Sequence, residues 1–306
     1  MKTRILIFVL MLTGACFAQQ DAQYTQYMYN TININPAYAG SRGAMSIFGL
    51  YRTQWVGLDG APKTAAFSLN TPINESRLGV GLTFVNDEIG PTTENIISAD
   101  VSYYVQTSDD WRLSFGVKGT LNLFALDANK LNASPNGGGP ADPSLINYNK
   151  SAPNIGAGVY WHSDNTYFGF SVPNFIQTKN KYNDNVKTIE VERINYYFIA
   201  GHVFDLGPNL KFKPALLSKL VQGAPLQVDV SGNFLIVDRL VLGAAYRWDA
   251  AVSAMAGFQI TDGLYLGYGY DLETTRLRNY NSGSHEIFLR YELFNNYNKI
   301  ISPRFF

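Results

Sequence analysis

Three histidines are the side chains best suited to metal binding or general-base chemistry in this sequence: His162, His202 and His285. Each falls on a different predicted strand, so the three rings are not expected to converge and no metal site is predicted. His285 directly follows Ser284, which suggests a nucleophile and its base. Adjacent strand residues point to opposite faces, so these two cannot act together. We therefore predict polar histidines near strand ends and no enzyme.

Pairs of glycines with one residue between them are typical of loops that bind dinucleotides. They occur at Gly79–Gly81, Gly156–Gly158 and Gly267–Gly269. A phosphate-binding loop must open a helix, and no helix is predicted after any of these pairs. Glycines on one face of a strand instead ease crowding or permit bends. The sequence therefore predicts no cofactor.

Charged residues alternate with apolar neighbours on several predicted strands, so they share one face. The candidates for this charged face are Arg52, Arg112, Lys118, Asp229, Arg247, Asp271, Glu286, Arg290 and Glu292. A selective pore would be lined by charges of one sign. Mixed signs favour a cross-strand network that stiffens or plugs a barrel. A substrate channel remains the alternative interpretation.

The composition favours a barrel in a membrane over a soluble sheet protein. Only 16 % of the residues are charged and 14 % are aromatic, against roughly 25 % charged in soluble domains. No apolar stretch after residue 18 approaches the length of a membrane helix. Removal of Lys2 and Arg4 with a signal peptide leaves 22 basic and 24 acidic residues. This near-neutral balance argues against nucleic acid as a partner.

The first 18 residues have the order of a secretory signal peptide. Lys2 and Arg4 precede the apolar run 5–12, and small residues lead to Ala18. We predict cleavage after Ala18, which leaves a mature chain without cysteine. Cys16 is the only cysteine, and lipidation at this residue is the alternative. Residues 1–18 are therefore assigned to a signal peptide.

Period-two alternation predicts that the rest of the chain is all-β. In 264–273, Leu264, Leu266, Tyr268, Tyr270 and Leu272 form an apolar face opposite glycines and acids. Fourteen such segments are predicted near 43–53, 63–71, 77–86, 94–107, 110–125, 153–163, 165–173, 188–204, 209–222, 225–236, 238–249, 250–261, 263–273 and 284–295. An even number fits a transmembrane antiparallel outer-membrane β-barrel spanning 43–295. Pro214 cannot donate to a ladder, so a bulge or rim is expected there.

Loop lengths alternate as outer-membrane barrels require, with short periplasmic turns and longer outer loops. Short connections are predicted at 108–109, 163–164, 205–208, 237 and 262, and long ones at 54–62, 86–93, 126–152, 174–187 and 274–283. This parity predicts that both termini are periplasmic, with 296–306 as a C-terminal tail.

Residues 26–43 do not alternate, and they read QYMYNTININPAYAGSRG. Together with Arg52-Thr53-Gln54-Trp55, residues 60–64 and the ending Ser302-Pro303-Arg304-Phe305-Phe306, this block resembles the PorP/SprF family of type IX secretion outer-membrane proteins. The resemblance implies a bacterium of the Bacteroidota and a non-enzymatic role in secretion and gliding. The partners it implies are a periplasmic ring, a peptidoglycan-binding lipoprotein and large surface adhesins, in addition to outer-membrane lipid. A passive porin is the alternative function.

Two roles remain open for the periplasmic segment 19–42, which precedes the first predicted strand. It can be a plug or rim strap, or a docking motif for a periplasmic partner. Pro36 restricts Asn35 to extended conformations, and Gly40 can turn the chain into the first strand. The candidate docking residues are Asn35, Pro36, Tyr38, Gly40, Arg42, Arg304, Phe305 and Phe306.

Overall fold

The computed structural model describes residues 24–73, 76–131, 147–177, 179–181, 188–191 and 193–293. The predicted signal peptide, Cys16, the tail 296–306 and three docking candidates, Arg304, Phe305 and Phe306, lie outside these residues. The strands are β1 (Met45–Thr53), β2 (Lys63–Pro72), β3 (Leu78–Ile89), β4 (Thr92–Gln106), β5 (Arg112–Leu126), β6 (Tyr148–His162), β7 (Thr166–Val172), β8 (Lys179–Lys181), β9 (Thr188–Val191), β10 (Asn195–His202), β11 (Phe204–Gly207), β12 (Leu210–Val221), β13 (Gln227–Ile236), β14 (Leu240–Arg247), β15 (Ala251–Gln259), β16 (Leu264–Glu273) and β17 (Ser284–Leu293).

The strands close into one antiparallel barrel. Neighbours in sequence pair with each other, β1 pairs with β17, and β10 pairs with β12. β10 and β11 pair one after the other with β12, so together they occupy the position of a single barrel strand. Counted in this way, the barrel has fourteen strands. Closure leaves no unpaired sheet edge to aggregate. The predicted all-β outer-membrane barrel of fourteen strands is confirmed.

The faces of the strands follow the predicted alternation. In β16, Tyr265, Gly267, Gly269 and Asp271 are buried, whereas Tyr268 on the opposite face is 43 % exposed. The outer surface is apolar, as lipid requires. Among the described residues, no helix is long and apolar enough to cross a membrane.

Three predicted boundaries were wrong. The expected loop 86–93 is a tight hairpin at Gly90-Pro91, because β3 and β4 continue beyond their predicted ends. β6 begins at Tyr148 and pairs it with Leu126, so the predicted loop 126–152 is shorter. The predicted strand 188–204 is divided, and its first part, β9, pairs only with β8 in a separate two-stranded sheet.

Pro214 lies neither at a rim nor in a bulge. It stays in register opposite Gly232 on β13. On its other side, pairing with β10 ends at Ala215 and pairing with β11 resumes at Phe212. The ladder is thus interrupted at the residue that has no N–H to donate.

Residues 24–42 lie inside the barrel and are called the plug from here on. They form three short 3₁₀ turns, Tyr27–Tyr29, Thr31–Asn33 and Pro36–Tyr38. Thr25 contacts Arg52, which lies toward the long-loop end of β1, and Arg42 lies at the short-turn end. The plug therefore runs along the barrel axis and joins β1 at the short-turn end.

Candidate functional site: the plug and its wall

Aromatic rings hold the middle of the plug against the wall. Tyr29 packs on Phe288 of β17 and on Tyr265 of β16, with ring centroids 4.7 and 5.4 Å apart. The hydroxyl oxygens of Tyr29 and Tyr265 lie 3.1 Å apart. Arg290 is placed over both tyrosine rings, at 5.6 and 4.9 Å from their centroids. Tyr27 and Tyr29 are 4 and 5 % exposed, so both rings are buried between the plug and the wall.

Glycines on the inner face of the wall make room for the plug. The wall glycines whose Cβ would meet plug atoms are Gly79, Gly81, Gly116, Gly158, Gly169 and Gly269. At Gly116 a Cβ would overlap the backbone of Pro36 and Ala37. The glycine pairs therefore do ease crowding, and they do so around an internal segment. We call these six residues the glycine floor, which is distributed over β3, β5, β6, β7 and β16.

Asn35 fixes the plug to that floor with both ends of its amide. Its Oδ1 accepts the N–H of Ala37, which caps the turn that Pro36 begins. Its Nδ2 donates to the carbonyl of Val159 on β6 at 3.0 Å. An amide that is 1 % exposed thus has a partner for its donor and its acceptor.

The end of the plug near the long loops is held by three charged wall residues. Arg52 of β1 forms ion pairs with Asp271 of β16 at 2.7 Å and with Glu286 of β17 at 3.2 Å. The hydroxyl of Thr25 donates to Asp271 at 2.6 Å and accepts from Arg52 at 3.0 Å. Glu286 accepts the backbone N–H groups of Thr25 and Gln26 at 3.1 and 3.0 Å. We call Thr25, Arg52, Asp271 and Glu286 the latch.

The other end of the plug is held by a second ionic contact. Arg42 pairs with Glu292 of β17 and donates to the hydroxyl of Tyr38 at 3.2 Å. Arg290 lies 3.4 Å from the same carboxylate. Tyr38 in turn packs edge-on against Tyr160 of β6. Arg42, Tyr38 and Glu292 therefore close the short-turn end around the exit of the plug.

Lys118, Asp229 and Arg247, three further predicted charges of the inner face, also form ion pairs across strands. Lys118 of β5 binds Asp100 of β4 at 3.1 Å and donates to the plug carbonyl of Ile32 at 3.3 Å. Arg247 of β14 pairs with Asp229 of β13 at 2.8 Å. Sequence reasoning missed Asp100 and Thr25, although Asp100 lies on the inner face of its strand. The alternation of β4 was the signal that would have found it.

Arg112 corrects the expected charge network. It is the first residue of β5 and is exposed at the short-turn rim, with its guanidinium 5.2 Å from the ring centroid of Tyr104. Alternation along β5 predicts that Arg112 lies on the inner face. Because the strand begins at this residue, its side chain lies at the edge of the barrel wall, where it is exposed. It therefore joins none of the buried pairs described above.

The docking candidates of segment 19–42 do not face outward. Asn35, Tyr38 and Arg42 are 1, 3 and 8 % exposed, and Pro36 is buried. Gly40 has φ +71° and approaches Gly79 and Pro72 so closely that a side chain would not fit. The structure places these side chains against the wall, as a plug requires, and the docking of a periplasmic partner by this segment stays a prediction.

The histidines lie apart from each other. His202 contacts Thr166 through its Nδ1 at 2.6 Å, His285 contacts Tyr268 at 2.6 Å, and His162 stacks near Tyr160. Within the ranges that the structure describes, no three metal-ligating side chains come together. Ser284 is buried, and its hydroxyl accepts the backbone N–H of Trp55 at 3.2 Å.

Residues 16–291 match the family described as type IX secretion system membrane protein PorP/SprF. The fold resembles the Ralstonia pickettii toluene transporter TbuX, with 9 % identity, a TM-score of 0.50, and coverage of 86 % of this chain and 93 % of that one. It also resembles the CymD monoaromatic hydrocarbon channel, with 9 % identity, a TM-score of 0.50, and coverage of 87 % and 93 %. These identities show a shared barrel fold alone. No curated protein sequence matches the chain.

Proposed function

The chain belongs to the PorP/SprF family of type IX secretion system membrane proteins, and we propose that it supports export or surface attachment of large adhesins by binding protein partners. The family and the fold make it an outer-membrane component of the type IX secretion system. The proposed partners are the periplasmic ring, its lipoproteins and a secreted adhesin.

The observation that carries the proposal is the occupied lumen. A barrel of fourteen strands is wider than the eight-stranded barrels whose own side chains fill the interior, so its lumen has room for water or for a segment of chain. Here the plug does, with Tyr27, Ile32, Ala37 and Tyr38 all less than 5 % exposed. A passive porin needs an open water-filled path, so the plug argues for a partner-binding role over the porin alternative.

The charges on the inner face support a structural role. Arg52, Lys118 and Arg247 each bind a carboxylate on another strand, and the first two also bind the plug. A buried charge that is already paired is a poor binding site for a solute, because a solute would have to displace its partner. This favours a stiffened, plugged barrel over a substrate channel, and we propose no catalytic role and no cofactor.

Partners are proposed to bind at the short-turn end, which loop length assigns to the periplasm. Exposed aspartates on the turns of this end, Asp109, Asp110 and Asp238 among them, are the acidic surface that a protein can reach. The turn-forming tendency of aspartate accounts for part of this pattern. Arg304, Phe305 and Phe306 stay proposed partner contacts at the same end. Cleavage of the signal peptide after Ala18 and the periplasmic location of both termini also stay proposals.

Recovery of the protein with its partners from native membranes tests this function. Affinity-tagged protein, extracted in mild detergent, should bring down periplasmic ring components and a large surface adhesin identified by mass spectrometry. An unrelated tagged outer-membrane barrel is the control. Recovery of the same proteins with both barrels, or a normally displayed adhesin in cells that lack this protein, would contradict the proposal.

A further inference from the structure

We propose that the plug is a releasable gate. The latch is its point of release and Gly43 is its pivot. Opening would free the end near Thr25 first, and the plug would then leave through the short-turn end. This inference concerns the barrel alone, so it can be tested without any secretion partner.

Charged wall residues contact both ends of the plug, and the short-turn end is in addition joined to a wall strand by the main chain. At the short-turn end the plug is covalently continuous with β1 through Gly43, whose φ is +76° and where an added Cβ would meet no atom within 4 Å. A glycine has no Cβ, so this residue can adopt other backbone dihedrals at low cost. At the other end, Thr25 and Gln26 are held to the wall by hydrogen bonds to Asp271 and Glu286.

The ion pairs of the latch remain in place when the plug is released. Arg52 pairs with both Asp271 and Glu286, and all three residues are on wall strands. When Thr25 and Gln26 depart, the two carboxylates keep their counter-charge, and water that enters the lumen replaces the lost hydrogen bonds. Release therefore leaves no unpaired buried charge, which is the arrangement that would make opening prohibitive.

The latch binds the main chain of the plug as well as the side chain of Thr25. Glu286 receives two successive backbone N–H groups, one on each carboxylate oxygen. Charge-assisted hydrogen bonds of this kind are stronger than neutral ones, so Glu286 contributes strongly to holding this end of the plug. Loss of its charge should shift the gate toward opening while the glycine floor and the aromatic contacts remain.

Single-channel recording of the refolded full-length protein in planar bilayers tests the gate. Glu286→Gln should raise the open probability roughly ten-fold or more over wild type, the factor that corresponds to loss of one charge-assisted hydrogen bond. Asp229→Asn is the matched control, since it neutralises a buried wall carboxylate that pairs with Arg247 of β14 and belongs neither to the latch nor to the contacts of Arg42. It should leave the open probability close to wild type.

Thr25→Val removes latch bonds from the plug side without touching the barrel, so it gives a second measurement if Glu286→Gln does not fold. A Thr25→Cys, Asp271→Cys pair should conduct when reduced and close when oxidised, because the two side chains are in contact. The proposal is overturned if Glu286→Gln and Thr25→Val both behave as wild type, if Asp229→Asn opens the barrel as much as Glu286→Gln, or if the oxidised pair conducts like the reduced one.

Discussion

Glu286 accepts the backbone N–H of Gln26 at 3.0 Å, so a carboxylate in the barrel wall is bonded to the main chain of the plug. The two residues are 260 positions apart in sequence. This contact joins the first described part of the chain to the last strand. The barrel can therefore be complete only after β17 has been placed, and the wall and the plug depend on each other.

A charge introduced on the lipid-facing surface should destabilise the barrel by an amount that depends on its depth in the membrane. Val117, on the outer face of β5, is 61 % exposed, and Leu206 in the short-turn region is 56 % exposed. Val117→Arg should destabilise the folded barrel by about 2–4 kcal/mol, and Leu206→Arg by about 0–1 kcal/mol, because a charge near the interface reaches water. Heat-modifiable mobility on gels measures the folded fraction. Equal losses for the two variants would refute the assignment of the lipid face.

The glycine floor predicts that one added methyl group disturbs the plug. Gly116→Ala places a Cβ against the backbone of Pro36 and Ala37, and overpacking of this kind costs about 1–3 kcal/mol. Gly119→Ala on the same strand is the control, because nothing lies within 4 Å of its Cβ position. We expect a lower unfolding temperature for Gly116→Ala alone. Two variants with the same unfolding temperature would mean that the floor does not contact the plug.

The amide of Asn35 predicts a pH-dependent loss of stability in Asn35→Asp. The carboxylate keeps the acceptor for Ala37 but loses the donor to Val159, at a cost of roughly 1–3 kcal/mol. Burial beside a carbonyl should raise the pKa of the new carboxyl above its unfolded value of about 3.9, so the charge penalty is absent below that pH and grows above it. Urea unfolding in detergent micelles should show recovery in acid.

The control for that measurement is Asn149→Asp, an exposed site on β6. Its unfolding midpoint should match wild type at every pH. A deficit for Asn35→Asp that is the same in acid and at neutral pH would show that the charge is not the cause.

The acidic surface of the short-turn end predicts selective loss of partners. The double variant Asp109→Asn, Asp238→Asn should fold normally and recover less of the periplasmic components in a pull-down, because two exposed charges are removed from that end. Asp59→Asn, an exposed aspartate between β1 and β2 at the opposite end, is the control. Wild-type recovery with the double variant would remove these turns from the proposed interface.

Sequence periodicity predicted the wall well because strand faces are a local property. The alternation of residue types within β5 and β16 already shows which face of each strand is polar. The number of alternating segments in the sequence gives the number of barrel strands. Strand ends were less predictable: β3 and β4 continue to Ile89 and Thr92, beyond the point where alternation stops. Pairing with a neighbouring strand extends them there, and a single-strand pattern does not contain that information.

The position of the plug could not be derived from local pattern. Residues 26–43 lack alternation, which excluded a strand but left a plug and a docking motif open. The contacts that fix the position of this segment join distant residues, such as Asn35 with Gly158 and Val159. Glycines on the inner faces of several strands were a signal that a segment of chain fills the lumen. Which plug residues contact them became visible only in the closed barrel.

We propose that residues 24–42 close an outer-membrane barrel that serves protein partners instead of conducting solutes. Planar-bilayer conductance of the purified wild-type protein and of a variant that lacks 24–42, both shown to be folded by heat-modifiable mobility, tests it most directly. The account predicts little steady conductance for wild type and large, stable channels for the deletion. Large, stable channels formed by the wild-type protein, with the same conductance as the deletion, would contradict it.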